Sequence, residues 1–201
     1  MEELDAALEA LTEAMDKICE VCPAALFTDV DLNSYYHEPV DYMVRMGYMN
    51  GTSDTTFAPA ADTNRAMLAT LLYRIAGEPS VEGLENPFTD VAEGTYYTNA
   101  VIWAADKGIV TGKTADTFAP TAAITRQEMV TMLWRFAEKP EAEADLSAYT
   151  DAASVSAYAQ VAMAWAVENG VISGMTATTL APAGTANRAQ IATVLMRYLS
   201  K

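Results

Sequence analysis

Six of the seven arginines in this chain fall into two columns of fixed spacing: Arg65, Arg126 and Arg188, and then Arg74, Arg135 and Arg197. Each arginine of the first column follows a residue that can cap the start of a helix, where free backbone N–H groups and the helix dipole favour an anion. The planar guanidinium can hold a carboxylate through two parallel hydrogen bonds. The first column is therefore a candidate set of anion-binding residues.

The same arginines have a structural alternative. Three aspartates, Asp29, Asp90 and Asp151, recur with the same period, and ion pairs to them would tie the start of each copy to its second helix. Spacing alone favours these ion pairs. The second arginine column lies nine residues later, near a helix C-terminus, where a cation complements the helix dipole and a structural role is expected.

The columns reflect a unit that the chain repeats three times, opening at Phe27, Phe88 and Tyr149 with a spacing of 61 residues. Fixed-period repeats bury their apolar faces by stacking on one another. We therefore expect one cooperative body made of copies at residues 27–87, 88–148 and 149–201. Residues 1–26 are expected to form an N-terminal amphipathic helix, with apolar residues on one face of residues 2–20, and a lead-in.

Each copy is predicted to contain two helices joined by an ordered loop, which makes the fold all-α. In the second copy the helical pattern runs from Tyr96 to Lys107 and stops at Gly108, with Gly47 and Gly170 at the matching positions. The second helices are predicted to start after the N-cap residues Asn64, Thr125 and Asn187. Their buried stripes are Leu68, Leu71, Leu72 and Ile75; Met129, Met132, Leu133 and Phe136; and Ile191, Val194, Leu195 and Tyr198.

An aromatic column lies on the first helix of each copy: Tyr42, Trp103 and Trp165. A place in the core is the favoured interpretation, and a surface on which a ligand stacks is the alternative. The pair Cys19 and Cys22 forms a lone C-x-x-C without a second pair to complete a zinc site, so incidental thiols are favoured over a disulfide or redox pair.

Composition excludes several functions. A formal net charge of −15 would repel a phosphate backbone and an anionic membrane, so no nucleic-acid partner is expected. No apolar run is long enough to insert in a membrane, and no export signal is expected. His37 is the only histidine, so no repeated catalytic arrangement, no enzyme activity and no cofactor are expected. Asp29, Asp31 and Asn33 are similar to the start of a calcium loop, but its glycine and final acidic positions hold Ser34 and Val40.

The motifs resemble the S-layer homology (SLH) domain in its common triple arrangement, over roughly residues 27–201. The opening F-x-D-V is present at 27–30 and 88–91, and the middle G-[IV]-[IV]-x-G at 108–112 and 170–174. The F-x-P motif is present at 118–120, and the sequence at 124–128 is similar to the I-T-R-A-E signature. The glutamate of that signature is present only as Glu128, with Met67 and Gln190 in the other copies, so the copies need not be equivalent.

The resemblance implies three helix–loop–helix units in a pseudo-threefold body around a central helical bundle, with grooves between neighbouring copies. It implies non-covalent anchoring of a secreted protein to the bacterial cell surface, cell wall or S-layer through an anionic secondary polysaccharide that often carries pyruvate ketals. Arg65, Arg126 and Arg188 would then hold the anionic sugar. Gly51, Gly112 and Gly174 would let backbone N–H groups approach it, and Tyr42, Trp103 and Trp165 would contact sugar faces.

Two further expectations complete this interpretation. A structural module for protein–protein or S-layer lattice contacts is the alternative function, and the acidic N-terminal helix is the feature that favours it. The resemblance also implies a longer exported protein, with a covalently linked cargo domain and the export signal outside this sequence.

Overall fold

The structure, a computed structural model, describes residues 22–201; the predicted helix at residues 2–20 and Cys19 lie outside the described residues. The described residues contain two helices for each copy and no β-strand, so the all-α class is confirmed. The helices are α1 (His37–Arg45), α2 (Arg65–Ile75), α3 (Thr98–Asp106), α4 (Arg126–Phe136), α5 (Gln160–Glu168) and α6 (Arg188–Leu199). Short 3-10 turns lie at Pro23–Leu26, Ala152–Ser154 and Ala157–Ala159.

The second helix of each copy starts where its N-cap residue predicts. The side chains of Asn64, Thr125 and Asn187 accept hydrogen bonds from the backbone N–H groups three residues later. In α4 and α6 the third helical residue, Glu128 or Gln190, also accepts from the backbone N–H of the cap, which completes a capping box. Each box satisfies two N–H groups that would otherwise lack a partner.

The glycine stops of the first helices are also confirmed. Gly47, Gly108 and Gly170 have φ values of 70°, 65° and 61°, a conformation that glycine adopts without steric cost. Helix α3 begins at Thr98, two residues later than predicted from Tyr96. The Oγ1 atom of Thr98 accepts a 3.0 Å hydrogen bond from the N–H of Thr95, so the preceding residues form a turn rather than the first turn of the helix.

The predicted stripes of the second helices are buried at their first three positions, whereas Ile75, Phe136 and Tyr198 are partly exposed. The chain divides into two compact units, of which the first includes described residues 22–59 and the second spans residues 60–201. Within the second unit α2 packs against α3, and α4 packs against α5. The second helix of one copy is thus joined to the first helix of the next.

A closed ring of backbone hydrogen bonds joins the segments that lead into α2, α4 and α6. Thr63 donates to Ala186 over 3.0 Å, Ala186 donates to Ile124 over 3.0 Å, and Ile124 donates to Thr63 over 2.9 Å. Three equivalent residues of the three copies therefore bind one another inside the second unit. The arrangement of complete copies around a central bundle stays a prediction.

In the first unit, α1 packs on the 3-10 turn at Pro23–Leu26. Asp41 of α1 accepts a 3.3 Å hydrogen bond from the N–H of Ala24 and pairs with Arg45 at 2.7 Å. The Sγ of Cys22 lies 3.0 Å from Nε2 of His37, and burial raises the pKa of the Cys22 thiol. These contacts hold the start of the described chain against α1.

Candidate functional site

The loop before each second helix is held by the aspartate that opens the same copy. The two oxygens of Asp90 accept hydrogen bonds of 2.7 Å from the backbone N–H groups of Phe118 and Ala119. Ala119 has φ of 59°, a strained conformation for alanine, and the bidentate acceptor helps to stabilise it. Asp29 and Asp151 hold the loops at Phe57–Ala58 and Leu180–Ala181 through the same pair of bonds.

Arg65 holds the same loop from the opposite side. Its Nε donates to the carbonyl oxygen of Phe118 at 2.9 Å, and its guanidinium carbon lies 4.7 Å from the centroid of the Phe118 ring. Its Nη2 donates to the carbonyl oxygen of Thr111 at 3.1 Å, and the residue is only 5% exposed. Spacing favoured an ion pair between each arginine and the aspartate of its own copy. In the structure Asp90 and Arg65, which belong to different copies, both bind backbone groups of this one loop: Asp90 accepts from its N–H groups and Arg65 donates to a carbonyl oxygen.

Arg126 repeats this arrangement one copy later. Its Nε donates to Leu180 at 2.8 Å and its Nη2 donates to Ser173 at 3.0 Å, both carbonyl oxygens of the third copy. Arg65 and Arg126 therefore each connect the second helix of one copy to the loops of the next copy. Two members of the first arginine column, Arg65 and Arg126, therefore have a structural function within the second unit.

An open groove of about 270 Å³ lies beside the guanidinium of Arg65, and all of its lining residues belong to the second unit. We call it the Lys113 groove. The first copy supplies one polar side chain, the second copy supplies most of the wall and the third copy supplies one ring. Its lining includes Arg65, Gly112, Lys113, Glu128, Arg135 and Tyr158.

Glu128 lies at the base of the Lys113 groove and is 8% exposed. Its Oε1 accepts from Nη1 of Arg65 at 3.3 Å and from Nζ of Lys113, whereas its Oε2 accepts from the N–H and hydroxyl of Thr125 at 3.0 and 2.9 Å. Burial alone would raise the pKa of Glu128, but the hydrogen bonds from Lys113 and Thr125 outweigh it, and the pKa is lowered. Glu128 is therefore held as a carboxylate.

The charged residues of the groove wall sum to a net positive charge, because Arg65, Lys113 and Arg135 stand against Glu128 alone. Arg135 lies in the last turn of α4 and makes two long hydrogen bonds of 3.4 Å, to the carbonyl oxygen of Ile109 and the hydroxyl of Thr111. Burial lowers the pKa of both Arg65 and Arg135. In a chain whose net charge is −15, this groove concentrates positive charge.

Tyr158 adds an aromatic ring from the third copy and belongs to a column that sequence reasoning missed. Tyr35, Tyr96 and Tyr158 occupy equivalent positions and are 65%, 62% and 52% exposed. Burial of part of the ring and the charge of Glu128 raise the pKa of Tyr158, so its hydroxyl stays neutral at pH 7. The spacings of 61 and 62 residues between these tyrosines were the signal that could have identified them.

The aromatic column predicted on the first helices, Tyr42, Trp103 and Trp165, is more buried than this tyrosine column. Trp103 and Trp165 are each 4% exposed, and Tyr42 is partly buried. The Trp103 ring centroid lies 5.5 Å from that of Tyr73, and the Trp165 centroid lies 6.2 Å from that of Tyr198. The two tryptophans therefore contribute to the core, and neither lines the Lys113 groove.

Gly112 lines the groove, and its lack of a side chain is required by its own loop. A Cβ at Gly112 would overlap the carbonyl oxygens of Thr114 and Thr117. A Cβ at Gly51 or Gly174 would overlap the equivalent carbonyl oxygens of its own loop. The glycines thus let the loop fold back on itself, and at Gly112 the same loop places backbone atoms at the groove wall.

Residues 22–201 contain neither a cluster of metal ligands nor a membrane-spanning helix. No group of three or more histidine, cysteine, aspartate or glutamate side chains in this range is arranged to hold a metal ion. None of the helices in the same range is long and apolar enough to cross a membrane.

Comparison with known proteins gives three matches to one family and several relatives. The S-layer homology domain family matches residues 26–67, 87–130 and 148–192. The chain is 34% identical over 186 residues to the "Surface-layer 125 kDa protein" of Lysinibacillus sphaericus, covering 90% of this chain and 16% of that protein. It is 32% identical over 179 residues to an "Endoglucanase" of Bacillus sp. (strain KSM-635), covering 87% of this chain and 19% of that protein. It is 27% identical to "Exoglucanase XynX" of Acetivibrio thermocellus, covering 87% of this chain and 16% of that protein.

Proposed function

Because the chain belongs to the S-layer homology domain family, with three tandem copies, we propose that it anchors a larger protein to the cell wall by binding an anionic, pyruvylated secondary polysaccharide without a covalent bond. The family and the similarity to S-layer proteins support the coarser conclusion of anchoring at the bacterial cell surface. The chain spans less than a fifth of the length of the relatives described above. Because the relatives are much longer than this chain, we propose that it is covalently linked to a further cargo domain.

The observation that carries the proposal is the local reversal of charge. The chain has 27 acidic and 12 basic residues, yet the wall of the Lys113 groove holds three cations and one carboxylate. A positive groove on a strongly negative protein attracts a negative charge that fits inside the groove, whereas the rest of the surface repels negative charges that lie outside it. A ligand with one compact charged group, such as a pyruvate ketal on a sugar, therefore suits this surface.

The groove also offers contacts for a sugar ring. The half-exposed ring of Tyr158 presents an apolar face, and aromatic faces pack against the C–H groups of sugars. The loop at Gly112 brings backbone polar groups to the wall. We propose that Arg65, and by sequence equivalence Arg126 and Arg188, contribute to anion binding in addition to holding the loops, with Gly51 and Gly174 equivalent to Gly112.

The test is co-sedimentation of the purified chain with Gram-positive wall sacculi. Three preparations are compared: untreated sacculi, sacculi from which mild acid has removed the pyruvate ketals, and sacculi stripped of the secondary polymer. We expect binding to the first, weak binding to the second and none to the third. Equal binding to all three would refute recognition of the polymer.

A second measurement distinguishes the glycan anchor from the alternative function, a module for protein–protein or lattice contacts. Sedimentation velocity without sacculi measures self-association of the chain. Association that rises with concentration, together with no binding to any sacculi, would favour a module for protein–protein or lattice contacts and would contradict the glycan anchor.

A further inference from the structure

The three copies differ at two positions that meet at the base of the groove. In the second copy these positions hold Lys113 and Glu128, whose side chains form an ion pair. In the third copy they hold Met175 and Gln190, and the Nε2 of Gln190 donates to the Sδ of Met175 at 3.6 Å. The two side chains of the third copy still contact each other, but the pair carries no charge.

The first copy has no charge at either position. Thr52 replaces the lysine and bonds within its own loop, to the carbonyl oxygen of Thr56 at 3.2 Å, and Met67 replaces the glutamate. Arg74 and Tyr96, the equivalents of Arg135 and Tyr158, line a separate cleft of about 310 Å³ together with Glu78. The guanidinium of Arg74 lies 3.9 Å from the carboxylate of Glu78, so the charge of that arginine is locally balanced.

Within the Lys113 groove the cations are not equally available. The Nε, Nη1 and Nη2 atoms of Arg65 all donate to protein acceptors, and its side chain is 7% exposed. Lys113 has three donor hydrogens, spends one contact on Glu128 and keeps a side chain that is 46% exposed. Arg135 holds its own acceptors only through bonds of 3.4 Å, which an anion can replace at little cost.

From these differences we propose that Lys113 and Arg135 bind the ligand carboxylate directly, and that the Lys113 groove is the one strong anion site among residues 22–201. Glu128 is a positioning residue that fixes the ammonium of Lys113 at the groove edge. Arg65 fixes the groove wall and contributes to anion binding only through its charge, because its Nε, Nη1 and Nη2 atoms already donate to protein acceptors. The inference rests on the proposed function, because it takes the pyruvate carboxylate of a wall polysaccharide as the ligand. It predicts one strong site for each chain rather than three.

The test is isothermal titration calorimetry of the full chain with a methyl hexoside that carries a pyruvate ketal. The same glycoside without the ketal is the negative probe. Wild-type protein is expected to bind the first with a stoichiometry near one. Lys113→Met should weaken binding about ten-fold, because it removes one charge-assisted hydrogen bond. Methionine is the residue at the equivalent position of the third copy, so the change is compatible with the loop.

Two variants serve as matched controls. Thr52→Met introduces methionine at the equivalent position of the first copy and should leave affinity and stoichiometry unchanged. The double variant Met175→Lys with Gln190→Glu writes the charged pair into the third copy and should raise the stoichiometry toward two. Circular dichroism and urea unfolding check that each variant is folded.

The outcomes distinguish this inference from the function on which it rests. If wild-type protein binds neither the ketal glycoside nor pyruvylated sacculi, the proposed function fails and this inference fails with it. If wild-type protein binds the glycoside but folded Lys113→Met binds equally well, or if three equivalent sites titrate, the inference is wrong and the glycan anchor stands.

Discussion

Replacement of Arg65 by alanine should destabilise the fold before it affects any ligand. The substitution removes the Arg65 donors from the carbonyl oxygen of buried Phe118 and from that of Thr111, and it removes one cation from Glu128. Breaking a buried ion pair costs about 3–5 kcal/mol, and the contacts of Glu128 with Lys113 and Thr125 favour the lower end of that range. We therefore expect a loss of about 3 kcal/mol in the free energy of unfolding, a large part of the stability of an ordinary domain.

Urea denaturation followed by far-UV circular dichroism measures this loss. The matched control is Arg197→Ala, because Arg197 is exposed in the last turn of α6 and its replacement should cost about 0.5 kcal/mol or less. A loss below about 1 kcal/mol for Arg65→Ala would refute the structural function assigned to this arginine. It follows that wall binding by a variant lacking Arg65, Arg126 and Arg188 can be interpreted only after its folding is measured.

Two further predictions concern the same interior. The hydroxyl of Thr63 is buried and finds no hydrogen-bond partner within residues 22–201, so Thr63→Val should raise the free energy of unfolding by about 1 kcal/mol, measured by urea denaturation; destabilisation would contradict it. Because the folded pKa of Glu128 lies below its ordinary value of 4.5, its charge should stabilise the fold above pH 4.5, and this contribution should be lost as pH falls through the folded pKa. The stability difference between wild type and Glu128→Gln should therefore shrink in acid, and a difference independent of pH would refute it.

The parts of the fold that the sequence predicted are those decided within a few residues of the chain. Asn64 and Thr125 cap helices by accepting from N–H groups three residues away, and Gly108 ends a helix through its own φ. Such interactions depend on residue type and local spacing alone. The apolar stripes were predictable for the same reason, because helical geometry fixes which side chains share a face.

The partners of the periodic charges were harder to predict. Asp90 and Arg65 both bind backbone groups of the loop at Phe118–Ala119. Every residue has such backbone groups, so a pattern of residue types cannot indicate which of them a charged side chain binds. Periodicity therefore suggested that each aspartate pairs with the arginine of its own copy. Glu128 was recognised as a departure from the repeat, but its contact with Arg65 spans 63 residues and depends on how two copies pack.

The aromatic residues show the same limit. Trp103 and the exposed Tyr96 lie seven residues apart in one copy, and both recur in the others as aromatic positions. Periodicity identifies each column but does not say which one faces solvent. That difference is set by tertiary packing, which places Trp103 against Tyr73 and leaves Tyr96 at the surface.

Repeated and unrepeated residues of this chain are explained by different requirements. A residue present in all three copies is most simply explained by what every copy must do, and in the second unit the repeated arginines and aspartates hold a strained loop against the next helix. In the proposed site Arg135 and Tyr158 belong to repeated columns, so the feature that distinguishes this groove from its equivalents is the charged pair Lys113 and Glu128, which is found in one copy. Under the proposed function, the unrepeated charges of Lys113 and Glu128 therefore indicate which groove binds strongly, whereas the repeated arginines and aspartates explain how the loops are held in the fold.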